Sequence, residues 1–302
     1  MSRLKYEITA KEATLKLRDY LKKDLKLSTR FMRSAAVDGR ILVNGKIITL
    51  AYILKQGDKL ELQLDKEESQ NVEPQKMDLD ILFEDEDIVI VNKPIKMVVH
   101  PTKSYQLDTL SNGLLYHFRE NGEQCIVRLV SRLDMNTSGL VIVAKNQYAH
   151  MALARDLHEL TNYEKSYIAV VHGHLHEEKG TIDLPILRAE EDSIKRIVDE
   201  RGQRSVTHFN VLENYEGAQL VKLTLETGRT HQIRVHLSHL GNPIFGDTLY
   251  GLEGDEGYIE RQALHAYRLV FPHPRTGKLI EIESSLPKDI VDLISHLQKN
   301  RL

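Results

Sequence analysis

The 302-residue sequence predicts an α+β protein. Many short β-forming runs end at turn residues, a few helical stretches carry capping signals, and a basic N-terminal segment is set off by a polar stretch. With 41% hydrophobic and 28% charged residues the composition is that of a globular chain with enough apolar material for one large core and a small one.

Thr14 is placed to cap a helix carrying Leu15, Leu17, Leu21 and Leu25, and Ser28 to cap a second one through Phe31, Met32, Ala35 and Ala36 that stops at Gly39. A strand over 40–43, an Asn44-Gly45 hairpin turn, a return strand and a strand over 59–64 complete a module of about 65 residues. Residues 1–65 hold 14 basic against 8 acidic residues, a net of +6, while the remainder nets −9. That asymmetry suggests a nucleic-acid-facing appendage on a body that reads its ligand by shape. Residues 66–78, KEESQNVEPQKMD, have no apolar period and read as a linker, across which the module is expected to fold separately and move.

The body, 79–302, opens with strands over 79–83 and 88–91, and a helix over 109–119 follows. Next comes IVRLVSRLDMNTSGLVIVAKN, residues 126–146, in which two apolar runs flank a polar break with Asp134 inside it. A carboxylate on a loop between two strands is fixed at its base yet reachable at its tip. Beyond a helix over 148–159, the strand KSYIAVVHG presents Tyr167, and the charge-rich 187–203 reads as a surface excursion. Strands over 205–212 and 219–224 lead into GRTHQIRVH, where Arg229, His231, Gln232, Arg234 and His236 are too polar for an interior helix unless each finds a partner.

Several chemistries find no support. Cys125 is the sole cysteine, so neither a disulfide framework nor a multi-thiolate zinc site can form, and a lone Cys beside an apolar run reads as a small buried hydrophobe. His172, His174 and His176 share a strand face but lack carboxylates at ligand spacing, and His231 and His236 do not have HExxH spacing, so no metal is expected. There is no P-loop and no dinucleotide fingerprint. The apolar runs are too short to span a membrane and the N-terminus lacks a signal-peptide core, from which a cytoplasmic monomer is the expectation.

The stretch Ser131-Arg132-Leu133-Asp134-Met135-Asn136-Thr137-Ser138-Gly139 resembles the HRLDxxTSG signature of RluA-type pseudouridine synthases, with Ser131 in the place of His. NKPIKMVVHP has Lys96 where that family commonly has Gly, and GRTHQIRVH, GNPIFGDTLYG and the LHA to HPRTG block follow in the family's order over about 79–290. LSTRFMRSAAVDGRILVNG resembles the αL RNA-binding module of a ribosomal protein.

The resemblance implies a large mixed, mostly antiparallel sheet with flanking helices and a cleft across it. It implies that Asp134 is the nucleophile, that Arg229 pairs with it and keeps it ionised, and that Tyr167 stacks on the base and takes part in removing the C5 proton. Arg132 would fill the space left by a flipped nucleotide or bind phosphate, and Arg30 and Arg33, three apart on one helix face, would meet the RNA backbone. The implied partner is RNA, large-subunit ribosomal RNA first and transfer RNA second, and the implied reaction is an isomerisation that consumes no cofactor, in keeping with the absence of a P-loop, a dinucleotide fingerprint and a metal constellation. Two other readings stay open at this point, a noncatalytic RNA-binding protein and a glycoside-type hydrolase, the latter calling for a second carboxylate near Asp134.

Overall fold

The computed structural model describes residues 2–64, 66, 68–159 and 162–299; the expected module boundary at Asp65 lies outside them. The N-terminal unit consists of β1 (Arg3–Glu7), α1 (Leu17–Lys23), α2 (Thr29–Val37), β2 (Ile41–Val43), β3 (Lys46–Ile47) and β4 (Lys59–Gln63). Its sheet runs β1-β4-β2-β3 and shares one apolar cluster with the two helices, centred on Leu17, Leu21, Phe31 and Leu60. Ser28 caps α2 as expected, its hydroxyl accepting from Phe31 N at 3.2 Å, and Asn44 and Gly45 both take the positive φ of a tight hairpin turn.

Two expectations fail here. Thr14 does not cap α1: it sits at φ 78°, its amide spent on Leu54 O, so the helix starts at Leu17 after an uncapped Lys16 and leaves Leu25 beyond its end. Strand β1 was unforeseen, because Arg3–Glu7 alternates too weakly and pairs with β4, more than 50 positions away, rather than with a neighbour.

The body contains β5 (Ile81–Glu84), β6 (Ile88–Lys93), α3 (Leu110–Glu120), β7 (Arg128–Leu129), β8 (Ser138–Ala144), α4 (Gln147–Glu159), β9 (Glu164–His172) and β10 (Lys179–Asp183). It continues with β11 (Ile186–Arg188), β12 (Arg196–Val198), β13 (Val206–Tyr215), β14 (Ala218–Leu225), α5 (Gln232–His239), β15 (Leu264–Pro272), β16 (Leu279–Glu283) and α6 (Lys288–Lys299). Its ten-stranded sheet runs β10-β13-β14-β9-β15-β8-β6-β5, with β16 on β15 and β7 on β8. The β15–β8 pair is parallel and the other pairings are antiparallel, which is the mixed sheet expected.

Period-two alternation explains how both faces are covered. Val89, Val91, Val141 and Val143 face the cluster that holds α3, α5 and α6, while Ile88, Ile90, Leu140 and Ile142 face the one under α4. The charge-rich segment 187–203 is partly ordered, since β11 and β12 form a separate hairpin.

Among its described residues the polar stretch 66–78 carries no helix or strand, but it is fastened to the body. Val72 is buried in the main cluster, and the Gln70 side chain both donates to Val127 O and accepts from Val127 N. The N-terminal unit is docked as well: the Phe31 and Tyr148 rings lie 6.4 Å apart, and Arg275 donates to Arg3 O while pairing with buried Asp87. These contacts oppose the free motion expected of the module.

The β15–β8 pair has one tight point. Gly139 lies at φ +110° and a Cβ there would stand 2.2 Å from Ala266 O. Gly139→Ala should therefore destabilise the protein by about 3 kcal/mol or more, read as a fall in urea midpoint with little change in m value.

Candidate active site

Asp134 lies in the loop between β7 and β8, and that loop is tied down on several sides. Thr137 N closes a turn on Asp134 O at 3.1 Å, Thr137 Oγ1 accepts from Gln262 Nε2, and Ser138 Oγ bonds His265 Nδ1 at 2.9 Å. Arg261 donates to Asn136 O, and the buried Lys93 ammonium reaches Met135 O at 3.0 Å as well as Pro94 O and Met97 O. The Thr-Ser-Gly run is thus a set of anchors, two hydroxyls and a residue without a side chain, that hold the carboxylate in place. At Lys96 the chain adopts φ 60°, the left-handed backbone that the commoner glycine would supply without strain.

The carboxylate's cationic partner is Arg234. Its Nη1 donates to Asp134 Oδ2 at 3.0 Å, while Nε and Nη2 grip Asp247 Oδ2 and Oδ1 at 2.7 Å each. Side-chain exposure separates the two acids: Asp247 is at 0% and Asp134 at 27%, so Asp247 orients the guanidinium and Asp134 is left accessible. Burial alone would ease the proton off Arg234, but the two carboxylates outweigh it and hold the guanidinium charged. Asp247 also accepts from Leu249 N and Tyr250 N, and Tyr250 packs under Arg234 and bonds His231 Nδ1 at 2.9 Å. The His231 Nε2 atom lies 3.8 Å from Asp134 Oδ2, and burial lowers that ring's pKa.

The pairing expected of Arg229 is corrected by this geometry. Arg229 is exposed at the cleft rim, its Nε on Arg204 O at 3.3 Å. The reason is where α5 begins: Arg229 precedes the helix, while Arg234 lies within its buried first turns and points across to the loop. The polar residues of this helix do find partners. Gln232 bonds Thr227, Val206 O and Thr207, and His236 bonds Thr207 and Leu184 O.

The other expected residues converge. Asp134, Arg132, Tyr167, Arg229, His231 and Arg234 line one cleft. Tyr167 comes from β9, between Leu223 of β14 and Ala266 of β15, and burial drives its phenol pKa well above the ordinary value, so the hydroxyl keeps its proton. Ser131, where the resemblance offered His, accepts from Lys165 Nζ at 3.1 Å. Arg30 and Arg33 are elsewhere, exposed on α2 and in no ion pair among the described residues.

A larger cavity of about 320 Å³ lies between Glu68, Gln70 and the 122–126 loop, beside Cys125, whose thiol burial pushes up to about 12. It contains none of the groups around Asp134, and so inert a thiol offers no nucleophile. Among the described residues no three His, Cys, Asp or Glu side chains gather as metal ligands, and no helix is long and apolar enough to cross a membrane. Sequence reasoning missed Arg234 as the partner, along with Asp247, Tyr250 and Lys165. An Asp in a Gly-rich, otherwise apolar GNPIFGD segment was the available signal, since a buried carboxylate demands a cation.

Asp247→Asn should cost about 3 kcal/mol in urea unfolding because it strips a buried guanidinium of its bidentate partner, whereas Asp134→Asn, half-exposed, should cost about 1 kcal/mol or less.

Comparison with known proteins points in one direction. Residues 87–239 match the family described as RNA pseudouridylate synthase. The chain is 44% identical over 266 residues to the uncharacterized RNA pseudouridine synthase YlyB of Bacillus subtilis (strain 168), covering 87% of each. It is 38% identical to the ribosomal large subunit pseudouridine synthase D of Pseudomonas aeruginosa, covering 87% of this chain and 86% of that one. Among solved structures, human RNA Pseudouridylate Synthase Domain Containing 4 superposes with a TM-score of 0.59 at 25% identity, covering 72% of this chain and 92% of that chain. Human RNA Pseudouridylate Synthase Domain Containing 1 gives 0.55 at 28% identity, with 74% and 96% covered.

Proposed function

The chain belongs to the RNA pseudouridylate synthase family, and on that premise we propose that Asp134, Arg234 and Tyr167 form the centre at which it isomerises a uridine of large-subunit ribosomal RNA. It is an isomerase acting on RNA. The bond from C1′ to N1 breaks, the uracil turns, and C5 joins C1′ in its place; the C5 proton then leaves and N1 gains one.

One observation carries the assignment: an accessible carboxylate gripped through Oδ2 by a guanidinium that a buried second acid aims, in the cleft that Tyr167 lines. Arg234 fixes one oxygen of Asp134; the other makes no hydrogen bond among the described residues and is free to attack or to face positive charge on the sugar. Tyr167 offers its ring as the stacking surface for the flipped base. Because its phenol enters protonated, any proton it takes from C5 is matched by loss of its own. Arg132 and Arg229, exposed at the rim, are placed to hold the RNA around the flipped nucleotide.

Ribosomal RNA is the favoured substrate because relatives at this similarity carry large-subunit names, with transfer RNA the second choice. A cytoplasmic location follows from that substrate. The N-terminal unit, residues 1–65, supplies RNA affinity through the α2 face with Arg30 and Arg33.

The test is release of tritium from RNA carrying 5-tritiated uridine, with product nucleosides analysed. The wild-type protein should release tritium and yield pseudouridine without free uracil. Asp134→Asn should lose about 10³-fold or more, Arg234→Lys about 10²-fold, and Arg229→Lys less than about 10-fold. Free uracil, or full activity of Asp134→Asn, would defeat the assignment. Separately, Arg30→Ala and Arg33→Ala should each weaken RNA binding and lower the slope of log affinity against log salt by about 1, leaving turnover at saturating RNA unchanged.

A further inference from the structure

Lys165 is a buried lysine that the site described so far does not use. It lies two residues before Tyr167 on β9, so both side chains leave the same face of the strand. Only 5% of it is exposed; its ammonium reaches Ser131 Oγ at 3.1 Å and lies 5.4 Å from the centroid of the Tyr167 ring. A lysine ammonium has three donors, and a single neutral hydroxyl is a poor return for taking the charge out of water. Replacement by an apolar residue of similar length would remove that cost. A lysine retained in such a place needs a reason other than packing.

The charged groups around it narrow the reason. Asp134 is the acid within electrostatic reach of Lys165, and it already has its ion pair with Arg234 on the other side. Tyr167 shares the strand face. Across the sheet, Leu269 of β15 is the register partner, and Glu164, with its partners Arg268 and Lys222, belongs to the opposite face. His231 and Lys93 complete the ring of basic groups about Asp134. A fixed cation therefore lies under the Tyr167 ring with no anion of its own among the described residues.

We propose that Lys165 is a positioning residue whose ammonium, held by Ser131 beneath the Tyr167 ring, stabilises the negative charge that the uracil carries after its bond to C1′ breaks and before C5 rejoins the sugar. When C1′–N1 breaks, the electron pair stays with N1 and spreads over the ring; the positive charge remains on the sugar or is met by Asp134. A buried cation behind the ring on which that anion stacks, 5.4 Å from the ring centroid, is already in place when the charge appears and acts through a low-dielectric interior, where such preorganised charge is effective. The inference rests on the function proposed above and assigns a further residue to the same reaction.

The expected pH dependence has a definite sign. Burial lowers the Lys165 pKa from 10.5 to about 8, Asp134 pulling the other way, so the ammonium is present below that point and lost above it. Turnover should fall as pH rises through about 8. The tritium-release assay on wild type, Lys165→Arg, Lys165→Met and Asp134→Asn, at saturating RNA from pH 6 to 10, with melting curves for each variant, tests this. Lys165→Met should lose about 30- to 100-fold in kcat with KM little changed. Lys165→Arg, charged throughout, should recover most of that loss and remove the fall near pH 8. The inference is overturned alone if wild type turns over, Asp134→Asn does not, and Lys165→Met stays within about 3-fold of wild type, or if Lys165→Arg keeps the same alkaline fall. A wild-type protein that makes no pseudouridine overturns the parent reading and this inference together.

Discussion

The contact on which the site depends is the guanidinium of Arg234 shared between two acids. Asp247 is wholly buried and binds the guanidinium edge-on, which removes the freedom of a long side chain before any substrate arrives. What is left of Arg234 is one N–H aimed at Asp134 Oδ2. The two carboxylates differ in solvent access rather than residue type: Asp247 is dry and anchors the guanidinium, while Asp134 stays open to the cleft. Asp247 is in turn fixed by backbone amides at Leu249 and Tyr250, and Tyr250 braces His231. The polar helix α5 survives in the interior only because this network and the Gln232 and His236 bonds satisfy nearly every group it carries.

Much of this was legible before any coordinates. The apolar runs at 88–91 and 140–144 announce strands, and a carboxylate between the runs 126–130 and 140–144 announces a site. Asn44-Gly45 and Ser28 did what their chemistry dictates. What was not legible was direction. Within GRTHQIR two arginines five apart can each be read as the partner of Asp134, and only the start of α5 decides which one turns inward. Thr14 misled for a related reason: a cap residue works only if its backbone is extended, and tertiary pairing with Leu54 drew it into positive φ. The linker misled because composition records polarity but not that its two apolar residues, Val72 and Met77, pack against the body and tie the stretch down.

The departures from the familiar pattern now have physical settings. Lys96 accepts a left-handed backbone that a glycine would take without strain, and Ser131 leaves room for Lys165 to approach the loop. Neither side chain hydrogen-bonds to Asp134 or Arg234.

Strand order has a consequence for when activity can appear during synthesis. The strand carrying Tyr167 and the one that follows Asp134 are not neighbours; β15 lies between them, and it is made last but one among the strands. A growing chain still inside the exit tunnel from about residue 264 onward has Asp134, Tyr167 and Arg234 translated, yet lacks the strand that joins the two halves of the sheet in register. Until β15 has emerged and paired, the strand of Tyr167 and the strand after Asp134 share no neighbour that sets one against the other.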